Sequence, residues 1–191
     1  MSPRSANRNA LVPLVFTVLA STQAMADDRP FHVEADVGRV SVDDFEGIPL
    51  NESTTAFRLG TGYHFLRWLG VAGAYVDLGT IETSVDTGAG PAVPLEASAD
   101  GFEVTLVGRV PLTEALALTA QAGILWWTGD TSIGGTVSSD NGNDSTWGIG
   151  AEYAFDPRFT VTGGWRRYSI DNVDADAAWL GLMIRFGDAP Q

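Results

Sequence analysis

The chain has no cysteine, which excludes disulfides and thiolate metal sites. It has no lysine either, and all 11 of its basic residues are arginine. Histidine is reduced to two, His32 and His64, so general-base chemistry has little to draw on. Acids outnumber bases 24 to 11, a formal net charge of −13. That balance argues against a polyanion-binding role such as nucleic-acid recognition. Beyond the first 26 residues no stretch reaches the roughly 18 apolar residues of a membrane helix. A mature chain that sits in a membrane must therefore cross it with strands.

The N-terminus carries an export pattern. Arg4 and Arg8 precede a short apolar run from Ala10 to Ala20, and Ala24-Met25-Ala26 is a small-residue cleavage site. This predicts a secretory signal peptide over residues 1–26, cut after Ala26, too short and wrongly flanked for a spanning helix. One mature domain, residues 27–191, is expected from the length. All 24 carboxylates lie after the cut against nine arginines, so 24 − 9 gives a mature net charge of about −15.

Hydrophobic alternation predicts eight strands, approximately Phe31–Val42, Thr55–Phe65, Leu69–Leu78, Phe102–Val110, Leu116–Trp127, Trp147–Phe155, Thr160–Tyr168 and Ala178–Phe186. The links alternate in length. Residues 43–54, 79–101, 128–146 and 169–177 are long and rich in Gly, Ser, Thr, Asp and Asn, whereas the links at Leu66–Trp68, Pro111–Ala115 and Asp156–Phe159 are tight. Long on one side and short on the other describes an all-β, eight-stranded antiparallel up-and-down transmembrane barrel with long extracellular loops and short periplasmic turns.

The direction of alternation separates a membrane barrel from a soluble one. In the second strand Phe57, Leu59, Tyr63 and Phe65 oppose Arg58, Gly60, Gly62 and His64. In the sixth, Trp147, Ile149, Tyr153 and Phe155 oppose Gly148, Gly150 and Glu152. An eight-stranded barrel is only wide enough inside for side chains to fill it. Glycine, threonine and paired charges fit that space; rows of rings do not. The bulky faces are therefore expected to meet lipid, with aromatics collecting at two heights. The first strand is less regular, because Arg39 takes the outward parity. Either a bulge turns Val40 and Val42 outward, or Arg39 reaches the headgroup region.

The last strand has a further property. It closes on Phe186, with Ile184 two residues before it and Gly181 five before it. This resembles the C-terminal assembly signal of bacterial outer-membrane barrels, with Trp179 where a polar residue is usual. Four longer stretches resemble the membrane domain of the OmpA family. They are Leu59 to Tyr63 leading on to Tyr75, Gly101 to Trp127, Gly148 to Pro157, and Gly181 to Gly187. The resemblance implies a plugged barrel in the outer membrane of a Gram-negative bacterium, inserted by the general assembly machinery, among outer-membrane lipids and lipopolysaccharide, and as a monomer. The peptidoglycan-binding domain of larger members is not expected within these residues.

The family's barrels hold an ion-paired plug, and Glu152 lands on such a position, while Ala72, Val107 and Thr162 replace the others. Here the residues of inward parity are Arg58, Glu103, Arg109, Gln121, Glu152, Arg166 and Arg185. Charges in a low-dielectric interior must be paired, so Glu103 and Glu152 are each expected to meet one or two of these arginines. Such a plug stabilises, and a gate for a narrow conduit is the alternative. No catalytic residue, metal or cofactor is expected. Asp171, Asp174 and Asp176 offer oxygen ligands at near-alternate spacing, although a solvated acidic loop explains them more plainly. The expected role is structural or surface-interacting. A narrow porin-like channel is the first alternative, and an envelope-lipid enzyme, which would need a base near the rim, the second.

Overall fold

The computed structural model describes residues 30–45, 48–85, 93–170 and 173–187. The expected signal peptide and Asp171 lie outside these residues. Eight strands run in order: β1 (Phe31–Phe45), β2 (Ile48–Leu66), β3 (Leu69–Val85), β4 (Val93–Pro111), β5 (Leu116–Ile133), β6 (Thr136–Ala154), β7 (Phe159–Ile170) and β8 (Val173–Phe186). Each pairs antiparallel with its neighbours in sequence, and β1 pairs with β8 to close the barrel. The closing seam runs from Phe31↔Phe186 to Val42↔Ala175 without a slip. Closure gives backbone donors and acceptors partners without water, as hydrocarbon requires.

The period-two pattern decides which side chains face outward. Phe57 is 59% exposed and Ile149 59%, whereas Arg58 is 3% and Glu103 1%. The bulky faces therefore form the outer wall. Near the turns Phe31 packs against Tyr63, tilted by 49°, at 4.7 Å between ring centroids. Toward the opposite end Tyr75 meets Phe102 at 5.3 Å and Trp147 meets Trp165 at 4.8 Å. Three tryptophans, Trp126, Trp147 and Trp165, lie on the outer wall and Trp68 stands exposed in the β2–β3 turn, while Trp127 and Trp179 are buried in the lumen.

Local chemistry sets the turns. Thr113 Oγ1 accepts the amides of Ala115 and Leu116 at 3.2 and 2.9 Å, and Asp156 Oδ1 accepts the Arg158 amide at 2.9 Å. Such side-chain bonds imitate backbone turns and shorten the connection.

The opposite end differs from the sequence expectation. The segments expected as long loops are mostly paired strand. Rungs reach Phe45↔Ile48, Val85↔Val93, Ile133↔Thr136 and Ile170↔Val173. Beyond the lipid both faces can be wet, so alternation vanishes although the ladder continues. Gly134 and Gly135, at φ 57° and 86°, close the β5–β6 hairpin in the left-handed pair of conformations that suits strand twist.

Arg39 keeps its outward parity. Val40 is buried and the β1 register is unbroken as far as Val42, so the bulge that would have turned Val40 toward lipid does not occur there. The Arg39 guanidinium instead donates to Ser53 Oγ at 3.0 and 2.6 Å. The register does shift between Val42 and Asp44, further from the membrane.

The projecting strands divide the rim. Among the described residues β2 and β3 share no rung beyond Phe57↔Asp77, and β6 and β7 share none beyond Thr146↔Tyr168. One four-stranded flap is β3–β6; the other is β7, β8, β1 and β2.

Candidate functional site

The lumen holds the concentrated chemistry of the molecule, in three layers. The first two are ionic. Arg58 on β2 donates to Glu34, to Asp36 at 2.7 Å and to Glu103 at 2.6 Å. Glu103 Oε1 also receives Arg166 from β7. Asp36 is held further by the Thr162 hydroxyl at 3.1 Å. Nearer the periplasmic turns Glu152 Oε2 receives Arg109 at 2.9 Å and Arg185 at 2.7 Å. The lumen thus carries four arginines and four carboxylates in pairing contact. The sum is neutral, with one excess negative charge in the first layer and one excess positive charge in the second.

The third layer is apolar and fills the extracellular half. Val40, Val76, Leu125, Trp127, Tyr168 and Trp179 form its body. Trp127 places its ring against Gly142, where an added Cβ would meet ring carbon at 2.9 Å, and donates Nε1–H to Asp144 at 2.8 Å. Trp179 likewise covers Gly38, where a Cβ would meet its ring at 2.5 Å. The glycines of inward parity make room for large lumenal side chains rather than for a pore. Gly181 belongs to the same set, since a Cβ there would collide with the Asp36 carboxylate.

A cavity of about 60 Å³ remains among the ionic layers, lined by His32, His64, Thr119, Gln121, Glu152 and Thr162 among others. That volume holds a few waters. Gln121 is half-buried on this wall and takes part in neither ionic layer. The two histidine rings lie 5.1 Å apart between centroids. Neither serine nor cysteine lines the cavity. Among the described residues no group of three or more His, Asp or Glu side chains is arranged to hold a metal. Asp174 and Asp176 instead bind Arg167, at 3.2 Å for the first and 2.7 Å for the second.

Of the residues singled out in the sequence, Arg58, Glu103 and Arg166 meet in one layer and Arg109, Glu152 and Arg185 in the other. Sequence reasoning missed Glu34 and Asp36. The signal was present: both alternate with Val33, Ala35 and Val37. At the seam Phe186 pairs with Phe31 on the outer wall, and Ile184 pairs with Val33.

The family model described as the outer membrane protein beta-barrel domain matches residues 10–186. No curated protein matches the chain. Several solved structures are similar. Ail, the attachment invasion locus protein of Yersinia pestis, solved in complex with the heparin analogue sucrose octasulfate, is 18% identical over 85% of this chain and 100% of that one, with a TM-score of 0.57. Neisserial surface protein A is 16% identical over 82% and 97%, with a TM-score of 0.61. The N-terminal barrel domain of Pseudomonas aeruginosa OprF is 13% identical over 86% and 100%, with a TM-score of 0.56. At these identities the likeness is one of fold.

Proposed function

The chain belongs to the outer membrane protein beta-barrel domain family, and from that premise we propose that it is a sealed barrel whose work is done at the cell surface. It resides in the outer membrane, with its apolar wall against lipid. The observation that carries the reading is the filled lumen. Two ionic layers and an apolar layer stand in series, and the cavity among the ionic layers measures about 60 Å³. A solute path would have to displace Trp127, Tyr168 and Trp179 together. The paired hairpins above the membrane offer, by contrast, a large ordered surface.

The lumenal ion pairs then serve as a plug that fixes the barrel's cross-section. Buried pairs of this kind contribute little net stability, but removing one partner is costly because it strands the other. No catalysis is proposed. Gly181, Ile184 and Phe186 act in assembly, the first through its fit beneath Asp36 and the others through the seam. The protein works as a monomer, delivered by a signal peptide over residues 1–26 and inserted by the outer-membrane assembly machinery. Outer-leaflet lipids and lipopolysaccharide are its immediate neighbours.

The polar periplasmic half of the lumen favours one rival, a narrow channel gated by Glu152. Planar-bilayer recording decides between them. The sealed barrel gives no steady unitary current, either as wild type or as Glu152→Ala. A current that Glu152→Ala alters would replace the plug with the gate.

A further inference from the structure

The split rim leaves unpaired edges on β2, β3 and β6, and among the described residues that of β6 is the longest. β6 pairs with β5 along its whole length, from Leu116↔Tyr153 to Ile133↔Thr136, with no slip in register. Its other neighbour, β7, stops at Thr146↔Tyr168. From Thr136 to Ser145, ten residues of β6 therefore have no strand partner on that side among the described residues. The parity of the edge follows from the turn below. The Ala154 amide donates to Ala115, toward β5, and the Phe155 amide donates to Phe159, toward β7. Residues of β6 with odd numbers thus aim their backbone groups at the β7 side. Where β7 is absent, Val137, Ser139, Asn143 and Ser145 turn those groups away from any strand, and the Asn141 amide donates to its neighbour Asp140 Oδ1 at 2.8 Å.

Exposed edges invite pairing, and proteins usually guard them with proline, lysine or a bulge. The segment Thr136–Ser145 has none of these. Its only charged side chains are Asp140 and Asp144, and the other described strands of this flap, residues 78–85, 93–100 and 128–133, hold no basic residue. Two such edges would repel each other, which opposes pairing with a second copy. A cationic strand would be attracted.

We propose that the free edge of β6 between Thr136 and Ser145 is a docking site for an extended, arginine- or lysine-rich polypeptide segment, added as an extra antiparallel strand. The inference rests on the surface-interaction reading. Main-chain bonds to the five odd-numbered residues supply the attachment, and the acidic flap supplies the selection by charge.

The test uses the mature chain refolded in lipid nanodiscs, with a labelled decapeptide of alternating arginine and threonine followed by anisotropy. Binding is expected for the wild type. N-methylating alternate peptide amides removes it, because a strand edge is being read. Asn141→Pro weakens it about tenfold or more, since proline blocks the rungs beside it and removes an N–H that Asp140 Oδ1 holds until a strand docks. The substitution spares the β5 ladder, so heat-modifiable gel migration is retained; Asn143→Pro serves if the first variant does not fold. Asp140→Asn weakens binding and reduces its salt dependence. Equal binding of the plain and N-methylated peptides overturns the proposal in favour of charge contact alone. Unchanged binding by Asn141→Pro, or a β6-mediated dimer in place of peptide binding, also overturns it. Cell-surface adhesion that persists in Asn141→Pro would remove the edge as the site while leaving the surface role standing.

Discussion

Glu103 shows how one residue can organise a barrel interior. Its side chain is fully buried and one oxygen receives guanidinium groups from β2 and β7. Replacing it with alanine leaves Arg58 leaning on Glu34 and Asp36 alone and leaves Arg166 without that partner. Glu103→Ala is expected to cost about 3–5 kcal/mol, read from urea unfolding of the lipid-embedded protein. Asp174→Ala is the contrast. Its carboxylate is half-exposed in a surface pair with Arg167, and the change is expected to cost less than about 1 kcal/mol. At this scale the sequence was legible through parity. Glu103, Arg58 and Arg166 each alternate with bulky residues, so their inward direction could be read directly. Which acid meets which arginine could not, because pairing across a lumen depends on strand tilt and side-chain reach, neither of which has a period.

The strands themselves were legible only where they touch lipid. From Phe57 to Phe65 one face is bulky at every position but Thr61, and the alternation names the strand. From Thr136 to Ser145 both faces are polar, and the same extended backbone reads as loop. The ladder persists there because β5 and β6 are clamped by a two-glycine turn. Gly135→Val forces a β-branched residue to φ 86° and is expected to cost about 1–2 kcal/mol locally. The effect should appear as faster protease nicking near residue 135 with the membrane-embedded part intact. Unchanged nicking would mean that the rungs, not the turn, hold the hairpin.

For the molecule as a whole, the one question left open by composition was which side of the wall the rings occupy. Phe57, Tyr153 and Leu180 all lie on the outside, within a continuous apolar wall of the kind that lipid covers. A charge placed there tests the assignment. Phe57→Arg on the lipid face is expected to destabilise by about 2–4 kcal/mol if it lies near the bilayer midplane, and by about 0–1 kcal/mol near an interface. In a soluble barrel the same exposed position would tolerate arginine. Unfolding measured in bilayers of two thicknesses separates depth from chemistry.

The division of the tryptophans gives the barrel an optical signature of its own. Trp68, Trp126, Trp147 and Trp165 stand where bromine-labelled acyl chains can quench their emission, whereas Trp127 and Trp179 are sealed from lipid and from aqueous iodide alike. Native fluorescence should therefore split into a large lipid-quenchable fraction and a smaller protected one. The protected fraction appears only when the lumen has closed, so a refolding experiment can time closure separately from insertion with no added label.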